Sequence, residues 1–273
     1  MWACLNLTHG PFVPTPIVRQ DLTVALKRHE ALLYFGWDDV RQQYKRTFLG
    51  PIWLTFSTCA WIFAMALVMA SLFGQSISDY LPRTATGMFV WTFFSLSILD
   101  GATVFVNASA LINATRLPLF FYPLRALIRY IILYGHYLAV CILLMICIGH
   151  PPSWLALLAI PGLIIHVFTS FGFILMFGLV NARYRDVFPI AGVLCQLMPL
   201  VTPIAWQRDM LKTHTWIADI NPFYHLIEIV RAPLLGQVPT MLSYGVSLGV
   251  MVASLAFGLF VYKRVRYHLI FWI

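Results

Sequence analysis

The sequence predicts an all-α integral membrane protein with six transmembrane helices, an N-terminal amphipathic interface helix, and short re-entrant helices before the last crossing. Three observations lead there. Hydrophobic residues make up 60% of the 273 residues and charged residues only 10%, whereas a soluble domain carries about a quarter charged residues. Six separate windows reach the roughly 20 apolar residues that a helix needs to cross a bilayer. Period-2 alternation punctuated by regular turns is missing, which excludes an outer-membrane barrel. Disorder, which needs low hydrophobicity and dense charge, is excluded by the same composition.

Residues 1–29 form a mixed N-terminal segment, expected to be cytoplasmic and not a cleavable signal, because the first long apolar run exceeds an h-region. Residues 30–50 are expected to form the interface helix. Leu33, Trp37, Val40, Tyr44 and Phe48 recur at helical spacing, with Asp38, Asp39, Arg41, Lys45 and Arg46 elsewhere on the wheel. Such a helix lies in the membrane interface, as an anchor or as a mechanical element.

The six crossings of a transmembrane domain at 51–262 are 51–74, 85–108, 130–149, 154–180, 187–206 and 241–262. Only the second contains a charged residue, Asp100. Between the second and third, 107–129 reads as helical to Arg116 and breaks at Pro118 and Pro123; it is a docking loop or simply a basic connector. Pro189, Pro199 and Pro203 predict a fifth crossing that kinks or ends early and lines a cavity. Residues 207–240 are too long for a featureless connection. Asn221 supplies an N-cap, Pro222 a preset first turn, and Pro233 with Gly236 a stop, so a helix too short to span opens there, as a lid or a structural cap. In the last crossing Gly245, Gly249 and Ala253 form a small-residue ladder for close approach of another helix. Residues 263–273 are a basic tail.

The net charge of +8 comes from 18 Lys and Arg against 10 acids. With the N-terminus in the cytoplasm, fourteen of the eighteen cations fall inside and four outside, so the charge reads as topology, with both termini cytoplasmic, and not as a nucleic-acid surface.

An intramembrane acid is a functional candidate by default. Counting depth from the cytoplasmic helix ends puts Asp100 level with His136, and the two are expected to bond or share a pocket, or else Asp100 is a structural kink. His166 reads as an unpaired core histidine. The five cysteines lack metal-ligand spacing, and GxxxxGK[ST], HExxH and GxSxG are all missing, so no metal, no cofactor and no catalysis are expected in this chain.

Several ordered motifs then resemble one family. The run Arg41-Gln-Gln-Tyr44-Lys45-Arg46-Thr-Phe-Leu-Gly50-Pro51-Ile-Trp53 resembles the segment leading into the first helix of ABC type 2 exporter permeases, with a glutamine pair and Lys45 as departures. Arg183-Tyr184-Arg185-Asp186 looks like the family's cytoplasmic motif between crossings four and five. Thr202-Pro203-Ile204 with Trp206, followed by Asn221 through Gly236, is similar to the polysaccharide branch, the O-antigen export permeases of Wzm type.

The resemblance implies a non-catalytic subunit of the bacterial inner membrane, working as a homodimer with two copies of a separate ABC ATPase that binds ATP and Mg. Its substrate would be a polysaccharide on undecaprenyl diphosphate. Teichoic acid or small-molecule export, and a membrane glycosyltransferase or ligase, remain the alternatives. For that cargo Arg41, Lys45, Arg46, Arg116 and Arg125 are expected to attract the diphosphate at the cytoplasmic surface. Tyr34, Trp37, Trp53, Trp91, Trp206 and Tyr224 are expected to give glycan rings an apolar path. Asn221, Pro222, His225, Glu228 and Arg231 would belong to a periplasmic gate.

Overall fold

A computed structural model describes residues 18–43, 45, 52–115 and 117–273, with backbone alone at 52–55. Arg46, Arg116, Tyr44, Phe48 and the side chain of Trp53 therefore lie outside the described residues. Every regular element among the described residues is helical: α1 Val18–Lys27, α2 His29–Gln43, α3 Ile52–Phe73, α4 Ile77–Asn107, α5 Ser109–Ala114, α6 Phe121–Cys147, α7 Ala159–Arg183, α8 Val187–Val201, α9 Trp216–Ile220, α10 Pro222–Leu234 and α11 Met241–Val265. Single 3₁₀ turns cover Trp154–Leu158, Arg208–His214 and Leu269–Phe271.

Among the described residues, five segments are long and apolar enough to cross a membrane: Phe56–Phe73, Ile77–Ala114, Phe121–Cys147, Trp154–Arg183 and Met241–Val265. The window predicted as the fifth crossing is different. Its helix, α8, has 15 residues, roughly 22 Å of length, with Pro199 in its last turn and Pro203 just beyond. The backbone leaves the helix at Thr202, which is extended (φ −88°, ψ 138°).

Charged residues near the helix starts explain the other boundary differences. α4 begins at Ile77, not 85, because Ser76 caps it by accepting the Asp79 amide at 3.2 Å. α6 begins at Phe121, not 130, so Arg125 and Arg129 are helical. Pro123 sits in its first turn, where a missing N–H costs nothing, and does not break it. In the N-terminal segment, α1 forms where no element was foreseen.

α2 turns Leu32, Gly36 and Val40 inward and leaves Leu33 and Trp37 exposed. Gly36 is required there: a Cβ would stand 2.6 Å from the Ile128 side chain of α6. α7 is the central post, packed against α4, α11, α10 and α6. Its contact with α11 runs through Gly172 against Ser254 and through Gly258. The expected ladder of Gly245 and Gly249 meets nothing within 4 Å, so it is not the seam inside this chain. The periodicity was right for close packing, but the face is rotated.

Candidate functional site

The break after α8 is the most unusual construction in the molecule. A helix end inside an apolar bundle frees carbonyls that must find donors. Here side chains supply them. The Trp206 indole N–H donates to the Leu200 carbonyl at 2.9 Å, the Arg231 guanidinium to the Pro203 carbonyl at 2.6 Å, and the Tyr80 hydroxyl to the Ala205 carbonyl. Beyond the break, residues 203–220 make an excursion that is clipped shut. Arg208 gives a two-pronged pair to Asp219 (both contacts 2.7 Å), which holds the Asp219 carboxyl below the usual range.

The chain returns at Asn221, beside the point where it left: the Asn221 amide donates to Thr202 Oγ1 at 2.9 Å, while its oxygen caps α10 by accepting the Phe223 amide at 3.0 Å. α10 then runs outward between α4, α7 and α11. Phe223 packs on Trp91 and Phe94 of α4 and on Phe173, near the midpoint of α7. The other end of α10 reaches Gly236, whose nearest neighbour is Ser153, ahead of α7. α8 and α10 are thus two short helices, of 15 and 13 residues, that meet C-terminus to N-terminus around Thr202 and Asn221, beside the middles of α4 and α7.

Four buried contacts hold α10 in place. Gly162 lets the Ile229 backbone approach, since a Cβ there would fall 2.8 Å from its carbonyl oxygen. His166 bonds the Leu226 carbonyl at 2.6 Å and the Tyr134 hydroxyl at 2.9 Å, so this histidine is paired through both ring nitrogens, contrary to expectation. Arg231 is 3% exposed and takes Glu228 at 2.6 Å while also serving Pro203. His225, also buried, bridges Ser243 on α11 (3.0 Å) and the Asp219 carbonyl (2.8 Å).

A second polar region lies where α2, α4 and α6 converge. Arg125 of α6 grips Asp39 of α2, its Nε at 2.7 Å. One turn on, Arg129 reaches Asp100 of α4 at 3.0 Å. Both pairs border a cavity of about 320 Å³. Asp100 is therefore bonded to Arg129, not to the expected His136. Depth counting failed because it began α6 at residue 130 and left Arg129 outside the helix. His136 is exposed beside the Tyr137 ring.

The remaining expected residues fall into distinct settings. Trp91 is 4% exposed and belongs to the core, since Phe223 covers it; it lines no path in this chain. Tyr34 and Trp37 are exposed on α2, Tyr224 is half-buried near Arg231, and Trp206 is half-buried. Arg41 and Lys45 are exposed, whereas Arg125 is committed to Asp39. Arg183 stacks on the Trp272 ring, Arg185 donates to the Trp272 carbonyl at 3.0 Å, and Asp186 opens α8 without a side-chain bond. Sequence reasoning missed Asp39, Arg129 and Asn181. Asn181 gives its amide to Ala102 (2.9 Å) and accepts the Phe188 amide (3.1 Å), seating α8 on α4. A buried asparagine just before a helix start was the available signal.

The family model described as ABC-2 type transporter matches residues 30–235. The chain is similar to an O-antigen export system permease protein RfbA of Klebsiella pneumoniae, 24% identical over 191 residues that cover 69% of this chain and 74% of the relative. A second RfbA from that organism is 25% identical with the same coverage. The RfbA of Myxococcus xanthus is 19% identical over 197 residues, covering 71% and 76%.

Proposed function

This chain belongs to the ABC-2 type transporter family, and on that premise we propose that it is the permease of an exporter carrying an undecaprenyl-diphosphate-linked, O-antigen-like polysaccharide out of the cytoplasm. It works as a homodimer in the bacterial inner membrane, both termini cytoplasmic, with ATP and Mg on two copies of a separate ATPase. α8 is the fifth of six crossings, α2 lies in the cytoplasmic interface, and α9 with α10 form the re-entrant periplasmic gate.

The observation that carries this reading is the interrupted crossing. A helix that ends short of the far surface and a second that dips in to meet it provide a path that can open without breaking a continuous helix. The relatives, named as O-antigen export permeases, support the substrate class. Arg41 and Lys45, exposed beside Tyr34 and Trp37, suit the approach of a diphosphate and its first sugars. Tyr224 and Trp206 suit the glycan near the gate. The connection around α5 and the Arg183–Asp186 turn face the ATPase.

The test is co-expression with a candidate ABC ATPase, pull-down of the pair, and an ATP-driven glycan export assay. Export lost in Glu228→Lys, with lipid-linked glycan accumulating inside, is the expected result. Failure of any ATPase to co-purify, or full surface glycan in Glu228→Lys, overturns the reading.

A further inference from the structure

The cavity between α2, α4 and α6 plays no part in the export path above. We propose that it is a binding site for the headgroup of a zwitterionic phospholipid, one bearing a phosphate and a primary ammonium. Among the described residues its charged lining sums to zero: Arg125 and Arg129 against Asp39 and Asp100. A bare anion entering it meets two carboxylates, and a bare cation meets two guanidiniums. A ligand that is itself a dipole matches both signs.

Hydrogen bonding leaves the right groups open. Arg125 spends Nε and Nη2 on Asp39, and its Nη1 makes no bond among the described residues. Arg129 spends Nη2 on Asp100 and on the Tyr130 hydroxyl, both at 3.0 Å; its Nη1 is unbonded and its Nε is buried without a partner. Two guanidinium edges one helical turn apart can share one phosphate. Asp100 accepts a single N–H, on Oδ2, and its side chain is 47% exposed, so Oδ1 can take an ammonium. Thr103 and Asn107 border the same cavity and can reach a glycerol ester.

The level is right as well. Asp39 lies two residues from Trp37 on a helix whose Tyr34 and Trp37 are exposed. Exposed Trp and Tyr settle at the headgroup layer of a bilayer. The cavity therefore opens at the depth where such headgroups reside, and a lipid seated there bridges the helix that carries Asp39 to two crossings.

Native mass spectrometry of the full chain, titrated with phosphatidylethanolamine, phosphatidylcholine and phosphatidylglycerol of identical acyl chains, tests this without any variant. Phosphatidylethanolamine should bind about tenfold tighter than phosphatidylcholine, which has no N–H, and than phosphatidylglycerol, which has no cation. Asp100→Asn should erase most of its advantage over phosphatidylcholine; Arg129→Lys, which keeps the charge and loses the fork, should weaken all three. Equal binding of the two zwitterions, tighter binding of phosphatidylglycerol or of added undecaprenyl diphosphate, or an unchanged preference in Asp100→Asn overturns the site. None of those outcomes touches the export assay, so the two readings fail separately.

Discussion

Asp21 of α1 accepts the hydroxyl proton of Tyr262 on α11, joining residues 241 positions apart in the chain. Asp21 is 1% exposed, and the Arg266 charge lies nearby. Burial pushes its carboxyl up to about 6, against the lowering pull of Arg266 and of the Phe120 and Leu119 amides. The docked state of α1 thus holds its proton more tightly than the undocked one. Docking is strongest below the ordinary carboxyl range, weakens as pH rises from about 4 to about 6, and is level above that. The swing is of the order of 2–3 kcal/mol. Hydrogen exchange of α1 amides, corrected for intrinsic rates, should show protection at pH 4.5 that falls by pH 7. Asp21→Asn should hold the protection level across that range; a wild type with no change would refute the linkage.

Arg231 serves two masters, and its loss should cost more than that of its partner. Arg231→Gln leaves the half-buried Glu228 with only the Arg83 charge nearby and the Pro203 carbonyl without a donor, a loss of about 1–3 kcal/mol. Glu228→Gln keeps the Pro203 bond and should cost less. Thermal unfolding in detergent ranks them; equal midpoints would show that the Pro203 contact contributes nothing.

Gly162→Ala should push α10 off α7 by steric overlap with the Ile229 carbonyl, destabilising by about 1–3 kcal/mol. Gly192→Ala and Gly245→Ala, which meet open space in this chain, are the controls. Their melting midpoints should stay within a degree or two of wild type, or rise, if helix propensity alone decides. A Gly162→Ala midpoint indistinguishable from theirs would mean that α10 is not wedged as described.

His166→Phe should cost about 1–2 kcal/mol by stranding the Leu226 carbonyl and the Tyr134 hydroxyl, whereas His166→Gln, which can still bond both ways, should recover part of that loss. Chemical unfolding of the two variants measures the difference. A Phe variant as stable as wild type removes the bridge from the account.

What could be read in advance was local. The apolar windows depend only on composition, and α10 could be placed because its cap, its first-turn Pro222 and its Gly236 stop sit within 16 residues of one another. Partners could not be read. Asp100 was matched with His136 because apolar windows exclude charge by construction, so Arg125 and Arg129 were left in a loop although they belong to a helix. The depth of α10 was equally hidden, because it is set by Gly162, Phe94 and Phe173, on two other helices. His166 looked unpaired for the same reason: the carbonyl that it meets is 60 residues away and carries no side-chain signature.

Fastening α8 at both ends has a mechanical outcome. Asn181 ties its first turn to α4, and Thr202, Asn221, Pro203 and Arg231 tie its last turn to α10. The excursion between them is closed by Arg208 and Asp219, so it cannot stretch to take up slack. The stretch from Asn181 to Gly236 is therefore linked in series by side-chain bonds, so a displacement of the Arg183–Asp186 turn is coupled through Thr202 and Asn221 to α10.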